Sequence, residues 1–201
     1  MKEFTDYAKW TLHHSWVIAV SYLTGMIVLL LIHGAFGFSS ADNGTYLSNA
    51  LMHIGCGLIL ALGTGVLQRE LLKEYFRVSF FWVLALMIGF VVAESAAGIV
   101  LWKLEMYRGL INMFNTDVHF PESLIFALAG LIAGMIQFQL LKPHYTNKLF
   151  WIFASTTGWA LLILSTYLSP YAFPLGALLY GAITGIAFYR IMKIKIISDG
   201  R

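Results

Sequence analysis

The sequence predicts an all-α fold, a polytopic transmembrane bundle of six helices that forms a single domain over residues 1–201. Three observations lead to this prediction. Of the 201 residues, 59% are hydrophobic and only 11% are charged, whereas soluble domains carry about 25% charged residues. The apolar residues form six runs, each near the roughly 20 residues that cross a bilayer as a helix. The basic residues concentrate on one side of these runs.

The six apolar runs leave room for short connections and little else. They cover residues 14–38, 47–68, 78–102, 123–141, 149–168 and 174–192. The first ten residues, MKEFTDYAKW, are mixed in charge and lack a cleavage site, so the first run is predicted to stay as a helix. The longest connection, Lys103–Glu122, is apolar enough for a short interfacial helix that ends near Pro121. An ordinary loop is the alternative.

Charge asymmetry predicts the orientation of the bundle. If the six runs alternate across the bilayer, eleven of the thirteen basic residues fall on one side, and only Lys103 and Arg108 fall on the other. The positive-inside rule then puts both termini in the cytoplasm. The same arrangement places Trp102 near the outer interface and four tryptophans near the inner one: Trp10, Trp16, Trp82 and Trp151. We therefore expect a multi-pass protein of the cell membrane.

The chain repeats itself with a constant shift of 69 residues. This shift superposes matching residues of helices two and three on those of helices four and five: Gly65 on Gly134, Gln68 on Gln137, and Trp82 on Trp151. The predicted repeat units are about 57–95 and 126–164. Half-repeats at about 14–38 and 174–193 complete a third unit, in which Trp16 takes the place of Trp82. Parallel repeats of this kind occur in transporters.

Small residues four positions apart recur in helices two, four and six: Ala61 and Gly65, Gly130 and Gly134, and Gly181 and Gly185. In lipid there is no hydrophobic drive between helices, so close backbone approach must supply their packing. We therefore expect these three helices to be innermost. Glycines that line a conduction path are the alternative. Gln68 and Gln137 are expected at the inner interface, where an amide can hold a neighbouring helix end.

One sequence pattern resembles a known group. The pattern GxxxGxxQ, followed by FW and a small residue three positions after the tryptophan, resembles repeats of small uncharacterised multispanning bacterial membrane proteins. The resemblance covers helices two to five. It implies a bacterial inner-membrane location and carries over no activity.

Polar and ionisable groups gather in the outer half of the predicted bundle. Glu94 lies eight residues before Trp102, hence roughly 12 Å deep, where a charge costs about 2.5–3.5 kcal/mol. We define an outer polar cluster by six residues: His33, His53, Glu94, Asp117, His119 and Glu122. In the inner half, the remaining histidines are expected among interfacial charges: His13, His14 and His144.

Three interpretations of the outer polar cluster remain open. Its side chains could bond one another and hold helices one to three together. They could instead form a solute pocket open to the outside, in which Glu94 recognises a cationic or hydrogen-bonding ligand. The candidate ligand-binding residues are Glu94, His33, His53, His119 and Trp102. A metal site is the third interpretation, with His33 and His53 on haem iron, or with His119 and Glu94 added to hold zinc.

The favoured function is that of a small membrane-embedded solute-binding or transport protein. No HExxH, GxSxG or Walker motif occurs, so catalysis is disfavoured, and the sequence requires no cofactor. The alternatives are a metal- or haem-dependent membrane enzyme and an assembly or immunity partner of another membrane protein. The expected partners are the lipid bilayer, a small solute, and a membrane protein or a second copy of the chain. Scattered basic residues argue against nucleic-acid binding.

Overall fold

The structure is a computed structural model that describes residues 2–36, 45–74, 77–105, 120–141, 148–168 and 172–199. Within these ranges the chain forms six α-helices and no strand, which confirms the predicted all-α fold. The helices are α1 (Lys2–Phe36), α2 (Thr45–Lys73), α3 (Phe81–Glu105), α4 (Phe120–Leu140), α5 (Leu149–Leu168) and α6 (Phe173–Asp199). The predicted interfacial helix falls mostly on residues 106–119, outside the described residues.

Several helices extend beyond the apolar runs that predicted them. Helix α1 begins at Lys2 rather than near residue 14, and α6 continues to Asp199 rather than ending near residue 192. The backbone hydrogen bonds of an α-helix form within the segment itself, in lipid or in water. Hydropathy therefore marks the part of a helix that lipid can cover, and not the residues at which the helix ends.

The six helices form a closed ring. Each helix packs against the helices before and after it in the chain, and α1 packs against α6 to close the ring. No other pair of helices comes into backbone contact within the described ranges. The expectation that α2, α4 and α6 are innermost is therefore wrong. Every helix has two neighbours, and side chains rather than a central helix occupy the axis.

Small residues allow neighbouring helices to approach closely. A Cβ atom at Gly130 would lie 2.6 Å from the carbonyl oxygen of Ser155 on α5. At Gly181, it would lie 2.7 Å from the carbonyl oxygen of Thr11 on α1. A Cβ atom at Gly65 would likewise touch the backbone of α3, at 3.1 Å. The recurring small residues therefore pack against the next helix of the ring.

The outer surface of the ring is apolar. Large apolar side chains are exposed along α1, at spacings of three to four residues: Leu12, Trp16, Val20, Leu23, Ile27 and Leu30. Polar side chains are buried instead: Thr64, Gln68, Gln137, Ser155, Ser165 and Thr184. Exposed apolar area of this extent marks a surface that another apolar phase covers. The distribution is the one expected of a protein surrounded by lipid.

Three helices in the described part of the chain are long and apolar enough to cross a membrane. Their apolar windows are Ser123–Leu140, Leu149–Thr166 and Phe173–Ile191. A shorter apolar helical stretch runs from Phe81 to Ala96 in α3. These helices, together with the apolar outer surface, support the predicted membrane location.

The described lysine and arginine side chains lie at one end of the ring, which we call the basic end. They are Lys9, Arg69, Lys73, Arg77, Lys148 and Arg190. Lys9 near the start of α1 forms an ion pair of 2.8 Å with Glu74 after the end of α2. The two helices are therefore antiparallel, as alternating spans would be.

Candidate functional site

Of the five predicted ligand-binding residues, the structure describes one side chain, the helix position of three others, and nothing of His119. Glu94 lies on α3, is half-buried and interacts with a neighbouring group. His33, His53 and Trp102 lie on α1, α2 and α3, but their side chains lie outside the described residues, as does His119 entirely. Of the described side chains, no three His, Cys, Asp or Glu residues are grouped to hold a metal ion. The outer ligand and metal sites therefore stay predictions.

A polar layer that was not predicted crosses the ring near its basic end. We call Gln68, Trp82, Gln137, Trp151 and Tyr180 the axial layer. Gln68 on α2 donates from Nε2 to the hydroxyl oxygen of Tyr180 on α6, at 3.0 Å. Helices α2 and α6 are not neighbours in the ring, so this bond crosses its interior. All five side chains are buried, with at most 1% of any of them exposed.

Two glutamine–tryptophan bonds hold the axial layer together. The indole N–H of Trp82 donates to Oε1 of Gln68 at 3.0 Å. The indole N–H of Trp151 donates to Oε1 of Gln137 at 2.7 Å. Each bond joins two residues that are fourteen apart in the chain. The same contact thus occurs at both copies of the pattern that the sequence predicts to be a repeat.

A third set of bonds joins the two glutamines. Nε2 of Gln137 donates to the backbone carbonyl oxygen of Trp82 at 3.1 Å, and it lies 3.5 Å from Oε1 of Gln68. The rings of Trp82 and Trp151 are also in contact, with centroids 5.3 Å apart. Four helices, α2, α3, α4 and α5, therefore meet in one buried amide–indole network. The glutamines are buried between helices, and Gln137 bonds the backbone near the start of α3, as expected of an amide that holds a neighbouring helix end.

The α6–α1 side of the ring uses different contacts. Trp10 donates its indole N–H to Oγ1 of Thr184 at 3.2 Å. Its ring also stacks on Phe188, with centroids 4.4 Å apart and planes 10° apart. Trp16, which was predicted to match Trp82 and Trp151, is 71% exposed and faces away from the bundle. The buried tryptophan of this helix is Trp10.

His14 lies in the interior and not among interfacial charges, so that expectation is wrong. Its ring stacks on Trp10 with centroids 4.3 Å apart, and none of its surface is exposed. Nδ1 lies 2.9 Å from the backbone carbonyl oxygen of Trp10, which can only accept, so Nδ1 carries the proton. Nε2 is therefore a bare acceptor. It has no hydrogen-bond partner in the described part of the chain.

Several buried polar atoms lack a hydrogen-bond partner in the described part of the chain. Besides Nε2 of His14, they include Oγ1 of Thr64 and Nε1 of Trp159. The Tyr180 ring lies 6.1 Å from the ring of His14 and 4.9 Å from that of Trp159, measured between centroids. Thr64 precedes Gln68 by one helical turn, on the same face of α2. Buried polar atoms normally have partners, so these three atoms represent unmet hydrogen-bonding capacity in the interior.

The axial layer and Glu94 lie at different depths. The layer is close to the basic end, because Gln68 precedes Arg69 and Trp151 follows Lys148 by three residues. Glu94 follows Trp82 by twelve residues on the same helix, which corresponds to about 18 Å toward the opposite end. Glu94 and the axial layer therefore lie at two different levels along the bundle.

No family model, curated protein or solved structure matches this chain. Sequence reasoning missed the axial layer because it treated tryptophans near span ends as interfacial anchors. The signal that could have found it is the fourteen-residue spacing from Gln to Trp, which occurs in both predicted repeat units.

Proposed function

We propose that this chain is a multi-pass membrane protein that binds a small polar solute on the axis of its helix ring and moves it across the bilayer. One observation carries the proposal: the ring is closed and apolar outside, while its axis holds buried polar side chains whose hydrogen bonds are incompletely satisfied. A protein that only needed a stable fold in lipid would gain nothing from polar atoms without partners.

The orientation follows from charge. The basic end carries the described lysines and arginines, and basic residues flank spans predominantly on the cytoplasmic side. We infer that six spans alternate and that both termini are cytoplasmic. The resemblance of the GxxxGxxQ repeats to bacterial multispanning proteins favours the cell inner membrane.

The axial layer is proposed to close the axis toward the cytoplasm. Its five side chains bridge the ring through hydrogen bonds of 2.7–3.5 Å, and two of the five are tryptophans in ring contact. Glu94 lies between the axial layer and the outer end of the ring. A solute would enter from the outer end, meet Glu94 and the candidate residues His33, His53, His119 and Trp102, and stop at the layer until it opens.

The chemistry of the axis favours a neutral or cationic solute rich in hydrogen-bonding groups. Near Tyr180 the chain offers an acceptor at His14, a donor at Trp159 and a hydroxyl at Thr64. The one described carboxylate on the outer side is Glu94. None of the described lysines or arginines lies on that side, and the side chains of Lys103 and Arg108, which the sequence predicts there, lie outside the described residues.

Cysteine accessibility tests this arrangement without knowledge of the solute. The test uses a Cys56→Ser background and two near-isosteric changes at buried positions. Ser123→Cys lies between the axial layer and the outer end of the ring. Thr184→Cys lies between the axial layer and the basic end. A membrane-impermeant methanethiosulfonate added from outside should modify Ser123→Cys and leave Thr184→Cys unmodified. Equal labelling of both variants, or no labelling at Ser123→Cys, contradicts an axis that is open outside and closed inside.

A binding screen tests the solute itself. Purified protein is heated in detergent with a panel of small metabolites, and compounds that raise Tm are retested on Glu94→Gln and on Trp16→Leu. Stabilisation should fall in Glu94→Gln and persist in Trp16→Leu, because Trp16 faces lipid. If no compound stabilises the protein, or if Glu94→Gln behaves as the unchanged chain, the solute-binding proposal is wrong.

A further inference from the structure

The described cations of the basic end differ in whether they form ion pairs. On α1 and α2, the described basic residues are balanced by described acids: Lys9, Arg69 and Lys73 against Asp6, Glu70 and Glu74. Lys9 pairs with Glu74 at 2.8 Å, and Arg69 and Lys73 both pair with Glu70, at 2.9 and 2.6 Å. On α5 and α6, Lys148 and Arg190 have no ion pair with a described acid. Arg77, which lies before α3, also has no ion pair with a described acid. Of the three described cations without an ion pair, two therefore lie on the α5–α6 side.

Lys148 and Arg190 are both held on aromatic rings of the neighbouring helix. The ammonium nitrogen of Lys148 lies 4.3 Å from the centroid of the Phe138 ring on α4. The guanidinium carbon of Arg190 lies 4.3 Å from the centroid of the Phe150 ring on α5. These cation–π contacts fix both charges at the start of α5, one in each of the two grooves that border it.

The surface next to these cations is apolar and exposed. On α5, Leu149 is 60% exposed and Phe153 is 69% exposed, and both lie on the face that carries Phe150. On α6, Ile186 lies one turn before Arg190 and is also exposed. Lys148 and Arg190 therefore lie where the exposed apolar surface meets the basic end.

We propose that the start of α5, with Lys148 and Arg190, is a binding site for an anionic phospholipid. The phosphate would meet the two cations, and an acyl chain would lie along Leu149, Phe153 and Ile186. Charge complementarity fits any phosphate anion, and the adjoining apolar surface favours an anion that carries an acyl chain. The inference requires the membrane location and does not depend on transport.

Native mass spectrometry of the purified chain in neutral detergent tests this site. The probes are dioleoyl phosphatidylglycerol, dioleoyl phosphatidylcholine and glycerol 1-phosphate. The variant Lys148→Gln/Arg190→Gln is compared with Lys9→Gln/Lys73→Gln, which removes two cations from the same end. Each cation near an anionic headgroup contributes about fivefold in affinity, so the first variant should bind phosphatidylglycerol about thirtyfold more weakly. The second should change by less than about threefold, and phosphatidylcholine binding should stay the same in both.

Four outcomes overturn the proposal. Equal losses in the two double variants would mean that overall charge, and not this site, attracts the lipid. Equal affinity of the unchanged chain for both phospholipids would remove the role of headgroup charge. Competition by glycerol 1-phosphate at matched concentration would assign the site to free phosphate esters. If the first variant does not fold, the unchanged chain is measured in 0.5 M salt instead. At this ionic strength, charges more than roughly 4–5 Å apart are screened from one another. If the chain still prefers phosphatidylglycerol under these conditions, the proposal is overturned.

Discussion

Replacing Gln137 by methionine tests the axial layer most directly. Methionine has a similar length and volume but no amide, so the change keeps packing and removes hydrogen bonds. The indole N–H of Trp151, which donates to Gln137 Oε1 at 2.7 Å, would become a buried donor without an acceptor. An orphaned buried donor costs about 1–3 kcal/mol. Loss of the 3.1 Å bond to the Trp82 carbonyl oxygen adds about 0.6 kcal/mol, the average for such bonds within membranes.

The expected loss is therefore about 1.6–3.6 kcal/mol, which lowers Tm by roughly 3–14 °C for a chain of this length. Gln139→Met is the matched control, because Gln139 lies two residues away on the same helix and is exposed. Thermal unfolding is followed by circular dichroism at 222 nm in detergent. We expect little change in the control.

The double variant Gln137→Met/Trp151→Phe decides whether the orphaned donor is the cause. Phenylalanine removes the N–H, so part of the loss should be recovered relative to the sum of the two single changes, by about 1 kcal/mol. If Gln137→Met is no less stable than Gln139→Met, or if the two changes simply add, the hydrogen-bond argument is refuted.

Three further predictions rest on single contacts. Gly130→Ala should destabilise the protein by about 1–3 kcal/mol, because the new Cβ atom would lie 2.6 Å from the Ser155 carbonyl oxygen. Gly55→Ala is the control and should be near neutral, because a Cβ atom there has no neighbour within 4 Å. Equal effects of the two changes on thermal unfolding would contradict this prediction. Trp10→Leu should lower the free energy of unfolding by about 3 kcal/mol, because the Trp10 side chain is 1% exposed. Trp16→Leu should lower it by well under about 1 kcal/mol, because Trp16 is 71% exposed. The reverse order would refute the assignment of Trp10 to the interior. The hydrogen bond from Lys73 lowers the pKa of Glu70 below 4.5, so Glu70 contributes stability at neutral pH that is lost as pH falls through that lowered value. The difference in Tm between Glu70→Gln and the unchanged chain should therefore shrink below pH 4.5, and a constant difference would argue against the pair.

The sequence predicts this fold well because lipid limits the choices. Uninterrupted apolar runs of about 20 residues have few alternatives to a helix, so the number and order of the helices follow from hydropathy. The ends do not. Lys2 and Asp199 are helical although both lie well outside the apolar runs, because polar helix formers continue a helix into water.

The candidate site was less predictable, and the tryptophans show why. Trp16 and Trp82 both lie near the predicted inner ends of apolar runs, and hydropathy assigns them the same role. One is exposed and the other is buried on an acceptor, Gln68. The direction of a side chain around its helix depends on which neighbours the helix acquires. Charge and hydropathy locate a residue in depth but carry no information on that angle.

The two predicted repeat units and the α6–α1 pair differ in one chemical respect. Three residues after Gly65 and Gly134 the chain has a glutamine, whereas three residues after Gly185 it has Phe188. Stacking of Trp10 on Phe188 and a 3.2 Å bond to Thr184 replace the amide–indole bond at this place. Stacked aromatic rings tolerate sliding, while a buried amide–indole bond is directional. If the axial layer opens, movement on the α6–α1 side breaks one indole hydrogen bond, from Trp10 to Thr184, whereas movement on the α2–α5 side breaks two amide–indole bonds. The α2–α5 side is therefore expected to be the part that stays fixed.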